Sequence, residues 1–366
     1  MGLQCGIVGL PNVGKSTLFN ALTKSQAAAA ANYPFCTIEP NTGIVPVDDP
    51  RLEILAKLAG SAKLIPAYME FVDIAGLVKG ASAGEGLGNE FLGHIRQVDA
   101  ILHVLRCFED DDITHVHNKI DPVNDAEVIN TELILADLGS VEKRIPPMAK
   151  KVQSGDKTLV EQLDLLEKAR VCLNAGKPVR SLIKTEADSD AFKALQLLTS
   201  KPLLYICNVL ENEAATGNKF TEAVAAMAKS EGTSAVIISS KIESEIANLE
   251  SEEEKQMFLE SIGLKETGLT KIVNASYKLL NMQSYFTIGP KEAHAWTFRI
   301  GTKAPAGAGI IHTDFEKGFI RAEVISYKDY VECGSETKAK EVGKMRVEGK
   351  EYVMQDGDIV HFRFNV

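Results

Sequence analysis

Gly9-Leu10-Pro11-Asn12-Val13-Gly14-Lys15-Ser16 is an unbroken G-x-x-x-x-G-K-S, and its flanks decide the fold. Before it runs Cys5-Gly6-Ile7-Val8, an apolar stretch that reads as a buried strand. After it, Thr17-Leu18-Phe19-Asn20-Ala21-Leu22 begins an amphipathic helix. Strand, glycine loop and helix in that order are the context of a phosphate-binding loop, where consecutive backbone N–H groups converge on phosphate oxygens. Val13, Gly14, Lys15, Ser16 and Thr17 are therefore the expected phosphate contacts. The Lys15 ammonium reaches the β and γ oxygens, the Ser16 hydroxyl ligates Mg²⁺, and the helix N-terminus favours the negative charge. A nucleoside triphosphate is the expected ligand.

Working outward, apolar strands at Leu3–Val8, Met69–Val72, Ala100–Leu105, Leu203–Cys207 and Ala235–Ile238 alternate with helical segments. That rhythm predicts an α/β domain, a parallel sheet with helices on both faces, over residues 1–124 and 200–280. Residues 125–199 interrupt it. There Ile134, Leu138, Val141, Ile145, Met148 and Val152 form one helical stripe, and Leu159, Leu163, Leu166 and Leu173 form a second beyond a Ser154-Gly155-Asp156 turn. The pattern predicts an inserted, coiled-coil-like helical hairpin, with Pro146-Pro147 kinking or shortening its first helix. Residues 281–366 are β-rich and glycine-punctuated. They end in the alternating strand Val360, Phe362, Phe364, and read as a small separate domain. The Ala27–Ala31 run reads as a helix end, and Glu243–Glu254 as a solvated helix face.

The 366 residues carry a net charge of −10 with 25% charged and 45% hydrophobic side chains, an ordinary globular composition. The charge argues against a surface that coats nucleic acid, and no DNA partner is expected. No run approaches the ~18 apolar residues of a membrane span, and the N-terminus has no charged region or cleavage site of a secretory signal. Six cysteines without C-x-x-C spacing, mostly in apolar runs, read as reduced core thiols in a cytoplasmic protein.

Asp73-Ile74-Ala75-Gly76 follows the strand Met69–Val72. An aspartate at a strand end holds Mg²⁺, and the Gly76 N–H is placed to sense a γ-phosphate. Thr37, between this motif and the loop, is the expected further Mg²⁺ ligand. These parts describe a switch NTPase. Two segments compete to read the base. Asn118-Lys119-Ile120-Asp121 matches the guanine-reading N-K-x-D but follows an acidic loop rather than a strand. Asn208-Val209-Leu210-Glu211 follows an apolar strand, and Ser239-Ser240-Lys241 follows the next. The second set is preferred, with Asn208, Val209, Glu211, Ser239 and Ser240 at the base. Glu211 then stands where an aspartate would accept guanine's two N–H donors, and Val209 where a lysine would stack, so ATP is the preferred nucleotide. Leu77 replaces a water-orienting glutamine, which implies slow hydrolysis. Asn12 is placed to help hold a monovalent cation such as K⁺ across the phosphates. His115 could orient water if its loop folds inward, although on spacing alone it is a solvated loop histidine. His94 and His103 read as packing residues.

The phosphate loop with Pro11-Asn12, the stretches 32–41, 73–82 and 84–89, and Asn208–Glu211 resemble the Obg-like ATPases of the YchF type. Ala308–Ala322 resembles that family's TGS domain, a β-grasp fold. The resemblance implies an Mg²⁺-dependent ATPase that also binds GTP, associates with ribosomes and is linked to translation and stress control. It also implies a water-orienting role for His115. Between Ser140 and Lys184, ten basic residues face five acidic ones, leaving the hairpin at about +5. With the family resemblance, this points to a contact with the ribosome or its RNA through Lys150, Lys151 and Lys157. An ATP-binding scaffold with negligible turnover and a conventional GTPase using Asn118–Asp121 are the alternatives.

Overall fold

The computed structural model describes residues 3–29, 41–74, 87–110, 120–152 and 156–365. In chain order the first part holds β1 (Gln4–Val8), α1 (Lys15–Ala29), β2 (Thr42–Pro46), α2 (Pro50–Ala59), β3 (Leu64–Ile65), β4 (Tyr68–Asp73), α3 (Leu87–Gln97) and β5 (Ala100–Arg106). Then come α4 (Pro122–Val152), α5 (Lys157–Asn174), β6 (Leu203–Asn208) and β7 (Ser234–Ile238). The first sheet runs β2-β4-β1-β5-β6-β7, parallel throughout except for β2, which pairs antiparallel with β4. Every residue of β5 and β6 is buried. Helices on both faces of a parallel sheet exclude water from both sides, which is why these strands are continuous apolar runs rather than alternating ones. The parallel order brings the C-terminal ends of β1, β4, β6 and β7 to one edge, with Ile7 beside Asp73 in register.

α4 belongs to two cores. Ala126, Ile129 and Leu133 pack into the core of the first sheet. Ile134 and Val141 pack instead with Leu166, Leu173 and Phe192 of the hairpin. A division at 124/125 therefore runs through one continuous helix. That helix is not shortened at Pro146-Pro147, which lie inside it. Both prolines are exposed, as are Glu142 and Lys143, whose carbonyls lose their N–H donors and are left to water. Asp156 caps α5 by accepting from the Thr158 N–H. At the root of the hairpin, buried Asp137 accepts from the Leu198 N–H at 2.9 Å, and from the Thr199 N–H and hydroxyl at 2.8 and 2.7 Å. Asn130 links the Arg180 guanidinium to the Tyr205 hydroxyl of β6, which itself donates to Glu231.

The remaining strands are β8 (Met282–Ile288), β9 (Ala293–Arg299), β10 (Phe319–Ser326), β11 (Arg346–Glu348) and β12 (Asp358–Phe364), with a helix Ala304–Ile311 between β9 and β10. The second sheet runs β11-β10-β12-β8-β9-β3. β12 lies parallel beside β8, the β-grasp arrangement of first and last strands. Alternation divides its side chains. Tyr285, Phe298, Val360 and Phe362 form the domain's own core, while Phe286, Ile325 and Ile359 turn the other way into the main core. Phe364, the last of the alternating series, is 37% exposed and stacks on Phe315.

The C-terminal segment is not a detached module. β3 of the N-terminal region completes its sheet, pairing parallel with β9. Arg51 of α2 bridges Asp356 at 2.7 Å and lies over the Phe286 ring. α2 is well specified locally, with Asp49 as N-cap, Pro50 in its first turn and left-handed Gly60 at its end.

Two sequence expectations need correction here. Glu243–Glu254 is not one solvated face: it spans the helices Ser240–Ile246 and Glu252–Ser261. Glu243 is buried, accepting from the Gly268 and Leu269 N–H groups at the start of the helix Gly268–Leu279. His103 is fully buried, but His94 is exposed on α3. Cys5, Cys107, Cys172 and Cys207 are buried free thiols, Cys333 is half-buried and free, and Cys36 lies outside the described residues. No described helix is long and apolar enough to cross a membrane.

Candidate functional site

The loop between β1 and α1 wraps the N-terminus of α1 at the C-terminal edge of the sheet. Asn12 and Gly14 adopt left-handed backbone conformations, with φ of 62° and 96°. At Gly14 a side chain is also excluded sterically, since a Cβ would lie 2.2 Å from the Asn208 amide nitrogen. Ser16 and Thr17 are exposed at the helix start, and Val13 is buried beneath the loop. The Lys15 ammonium is buried and donates to the Gly9 and Leu10 carbonyls at 2.9 and 2.7 Å. Desolvation pulls its pKa below that of an ordinary lysine, while the Asp73 charge opposes the shift.

Asp73 ends β4 beside β1. Desolvation raises its pKa, and the Lys15 charge draws it back. Its Oδ1 is buried with no hydrogen-bond partner among the described residues. A buried carboxylate oxygen lacking a donor, near a helix-start hydroxyl, suits a hard divalent cation. Mg²⁺ takes few protein ligands and completes its shell with water and phosphate. The described residues contain no cluster of three or more His, Cys, Asp or Glu side chains able to hold a metal. Ser16 and Asp73 fit the ion. Thr37, Gly76, Leu77 and His115 lie outside the described residues.

At the base end, Asn208 closes β6 and is buried. Its amide nitrogen donates to the Val13 carbonyl at 2.9 Å, and its oxygen accepts from the Ser240 N–H at 2.9 Å. The residue thus ties the phosphate loop to the loop after β7. Each of these bonds takes one of the carboxamide's two N–H donors or one of its oxygen's two lone pairs, so the tie leaves the expected base contact open. Val209 differs as well. Its side chain is buried in the main core, so it does not occupy the place of a stacking lysine. Ser239 caps the helix Ser240–Ile246, and the buried Ser240 hydroxyl has no partner among the described residues. Glu211 remains half exposed and forms an ion pair with Lys241. Lys241 drives the Glu211 carboxyl below its ordinary range, and Glu211 raises the lysine in return.

Of the competing tetrapeptide, Asn118 and Lys119 lie outside the described residues, while Asp121 immediately precedes α4. Its carboxylate accepts from the Asn124 N–H at 3.2 Å and its carbonyl from the Asp125 N–H, as an N-cap does. The pattern match thus coincides with a helix start.

Motif reading quotes Lys241 within Ser239-Ser240-Lys241 without giving it a role, and it passes over Arg106 near the same edge. Arg106 is buried at the end of β5, and its guanidinium donates to the Phe108 and Asp110 carbonyls, holding the chain that leads into the His115 loop. An arginine ending an otherwise apolar strand was the available signal.

The hairpin's cations are unequal. Arg180 is buried at the root, Arg144 donates to the Leu195 carbonyl, and Lys168 and Arg170 pair with Asp164 and Glu167. Lys150, Lys151 and Lys157 are exposed at its tip.

Residues 4–137 match a family model described as 50S ribosome-binding GTPase. Residues 282–365 match the YchF-GTPase_C model, described as a protein of unknown function. The chain is 56% identical over 368 residues to the Ribosome-binding ATPase YchF of Bacillus subtilis, and 55% identical over 366 residues to that of Haemophilus ducreyi. Both matches cover 100% of this chain and of the relative. A solved structure, the YchF GTPase of Schizosaccharomyces pombe, is 38% identical with a TM-score of 0.88, covering 99% of this chain and 98% of that one. On this full-length similarity, the chain belongs to the YchF family of P-loop nucleotide-binding proteins.

Proposed function

We propose that the chain is an Mg²⁺-dependent ATPase that acts as a nucleotide switch on the ribosome in the cytoplasm. The supporting observation is the single edge at which Lys15, Ser16, Asp73, Asn208 and Glu211 meet, in a family whose curated relatives are named ribosome-binding ATPases. Those names and that of the fission-yeast YchF GTPase disagree about the base. Glu211 in place of aspartate favours adenine here, with GTP a weaker or comparable ligand.

Lys15 and the N-terminus of α1 bind and orient the triphosphate, and Asn12 would help hold a K⁺ ion there. Asp73 and Ser16, with Thr37, would hold Mg²⁺, which supplies charge neutralisation on the β and γ oxygens. His115 orients water in place of a glutamine. Hydrolysis falls to the first sheet and ribosome contact to the hairpin tip.

Single-turnover hydrolysis of ATP and GTP, with and without ribosomes and K⁺, tests the reading. Lys15→Ala and His115→Ala should each abolish ribosome-stimulated ATP turnover. No turnover in the unaltered protein under any condition would favour an ATP-binding scaffold. Ribosome pelleting should weaken with salt and when Lys150, Lys151 and Lys157 are changed to Gln.

A further inference from the structure

Glu211 and Lys241 meet across the ends of β6 and β7, with side chains 37% and 68% exposed and so open to a ligand. An exposed ion pair adds little to stability. A purine laid over it would strip its water and make its pattern of donors and acceptors matter.

We infer that this ion pair reads the Watson–Crick edge of the purine, with Lys241 a specificity-determining residue; the inference rests on the base site proposed above. Lys241 engages one carboxylate oxygen of Glu211, leaving the other as an acceptor. The ammonium has three donors and gives one to Glu211. The pair therefore presents an acceptor beside a donor. Adenine is the complement, since its 6-amino group donates and its ring N1 accepts. Guanine shows the reverse at those positions, with O6 accepting and N1–H donating. Its 2-amino group would also need the carboxylate oxygen that Lys241 holds.

The backbone of the loop after β7 does not compensate for the mismatch. The Ser240 N–H, a backbone donor that could serve O6, is bonded to the Asn208 oxygen. Guanine would thus leave polar groups unpaired in a dehydrated site, the condition that gives strong discrimination.

Affinities of the full chain for ATP and GTP, measured by displacement of a fluorescent nucleotide with Mg²⁺ present, test this. Melting curves would show that each variant folds. Lys241→Met should weaken ATP about tenfold while moving GTP by less than about threefold. The double swap Glu211→Lys with Lys241→Glu places a donor opposite guanine O6 and an acceptor opposite N1–H, so it should invert the preference. An unchanged ATP-to-GTP ratio in both variants overturns the inference. Two controls then locate the failure. If Asn208→Ala weakens both nucleotides and Asp121→Asn neither, the base site stands and only the ion-pair role falls. If Asp121→Asn alone weakens GTP, the proposed base site falls with it.

Discussion

At the phosphate end of the site, ionisable groups are held in unfavourable settings: Lys15 and Asp73 are desolvated, and Asp73 keeps an orphaned oxygen. Beneath them, beside Val8 in register, His103 is fully buried with neither nitrogen partnered among the described residues. At the base end, Asn208 is bonded at both ends and Glu211 is paired with Lys241. The first region carries electrostatic cost that a polyanion and a cation relieve. The second is already paired internally and gains only from a ligand whose edge matches. Affinity should therefore come mainly from the phosphate end and selectivity from the base end.

The largest expected effect is at Lys15. Lys15→Met should weaken ATP and GTP alike by about 100-fold, equivalent to about 2.7 kcal/mol, because a charge-assisted phosphate contact does not see the base. Isothermal titration with both nucleotides checks it, and unequal losses would break the division of labour. Asn208→Ala comes next. Its removal leaves the Val13 carbonyl and the Ser240 N–H unpaired, costing about 2 kcal/mol in urea unfolding and weakening both nucleotides together.

His103 should show in the acid limb of stability. Burial, with Arg180 and Lys15 nearby, depresses its pKa from 6.5 to about 3. The unfolded chain then binds a proton that the folded one refuses, so stability is whole above 6.5 and falls as pH drops toward 3. The slope reaches about 1.4 kcal/mol per pH unit. Unfolding of His103→Phe across that window should lose this component.

The smallest effect is at Asp73. Its raised pKa means that ionised Asp73 costs stability once pH exceeds the shifted value, so the stability present in acid is lost as pH rises through it. Asp73→Asn should slightly raise the unfolding free energy at neutral pH, by less than about 1 kcal/mol after solvent screening, while abolishing the Mg²⁺ dependence of ATP binding.

The same contrast explains what the sequence revealed. The phosphate loop is contiguous, and its chemistry lies in eight successive residues; β5 and β6 declare themselves as unbroken apolar runs. The base end is built from pairs far apart in the chain. Asn208 meets Val13 across 195 positions, and Glu211 meets a lysine in another loop. Residue type alone therefore suggests a stacking position for Val209, where the fold uses a core side chain, and it does not show that Asn208 also ties two distant loops together. β3 was illegible for a related reason, being two residues that become a strand only against β9. Glu243 looked solvated in a glutamate-rich run because its partners, Gly268 and Leu269, come 25 and 26 residues later.

The central claim is that the purine lies between the loops after β6 and β7. A crystal structure of the chain with Mg²⁺ and a non-hydrolysable ATP analogue tests it most directly. The account predicts the adenine edge within hydrogen-bond distance of Glu211 and Lys241, with Asn208 still bonded to Val13 and Ser240. A base seated against Asp121, with the Glu211–Lys241 pair left in solvent, would contradict it.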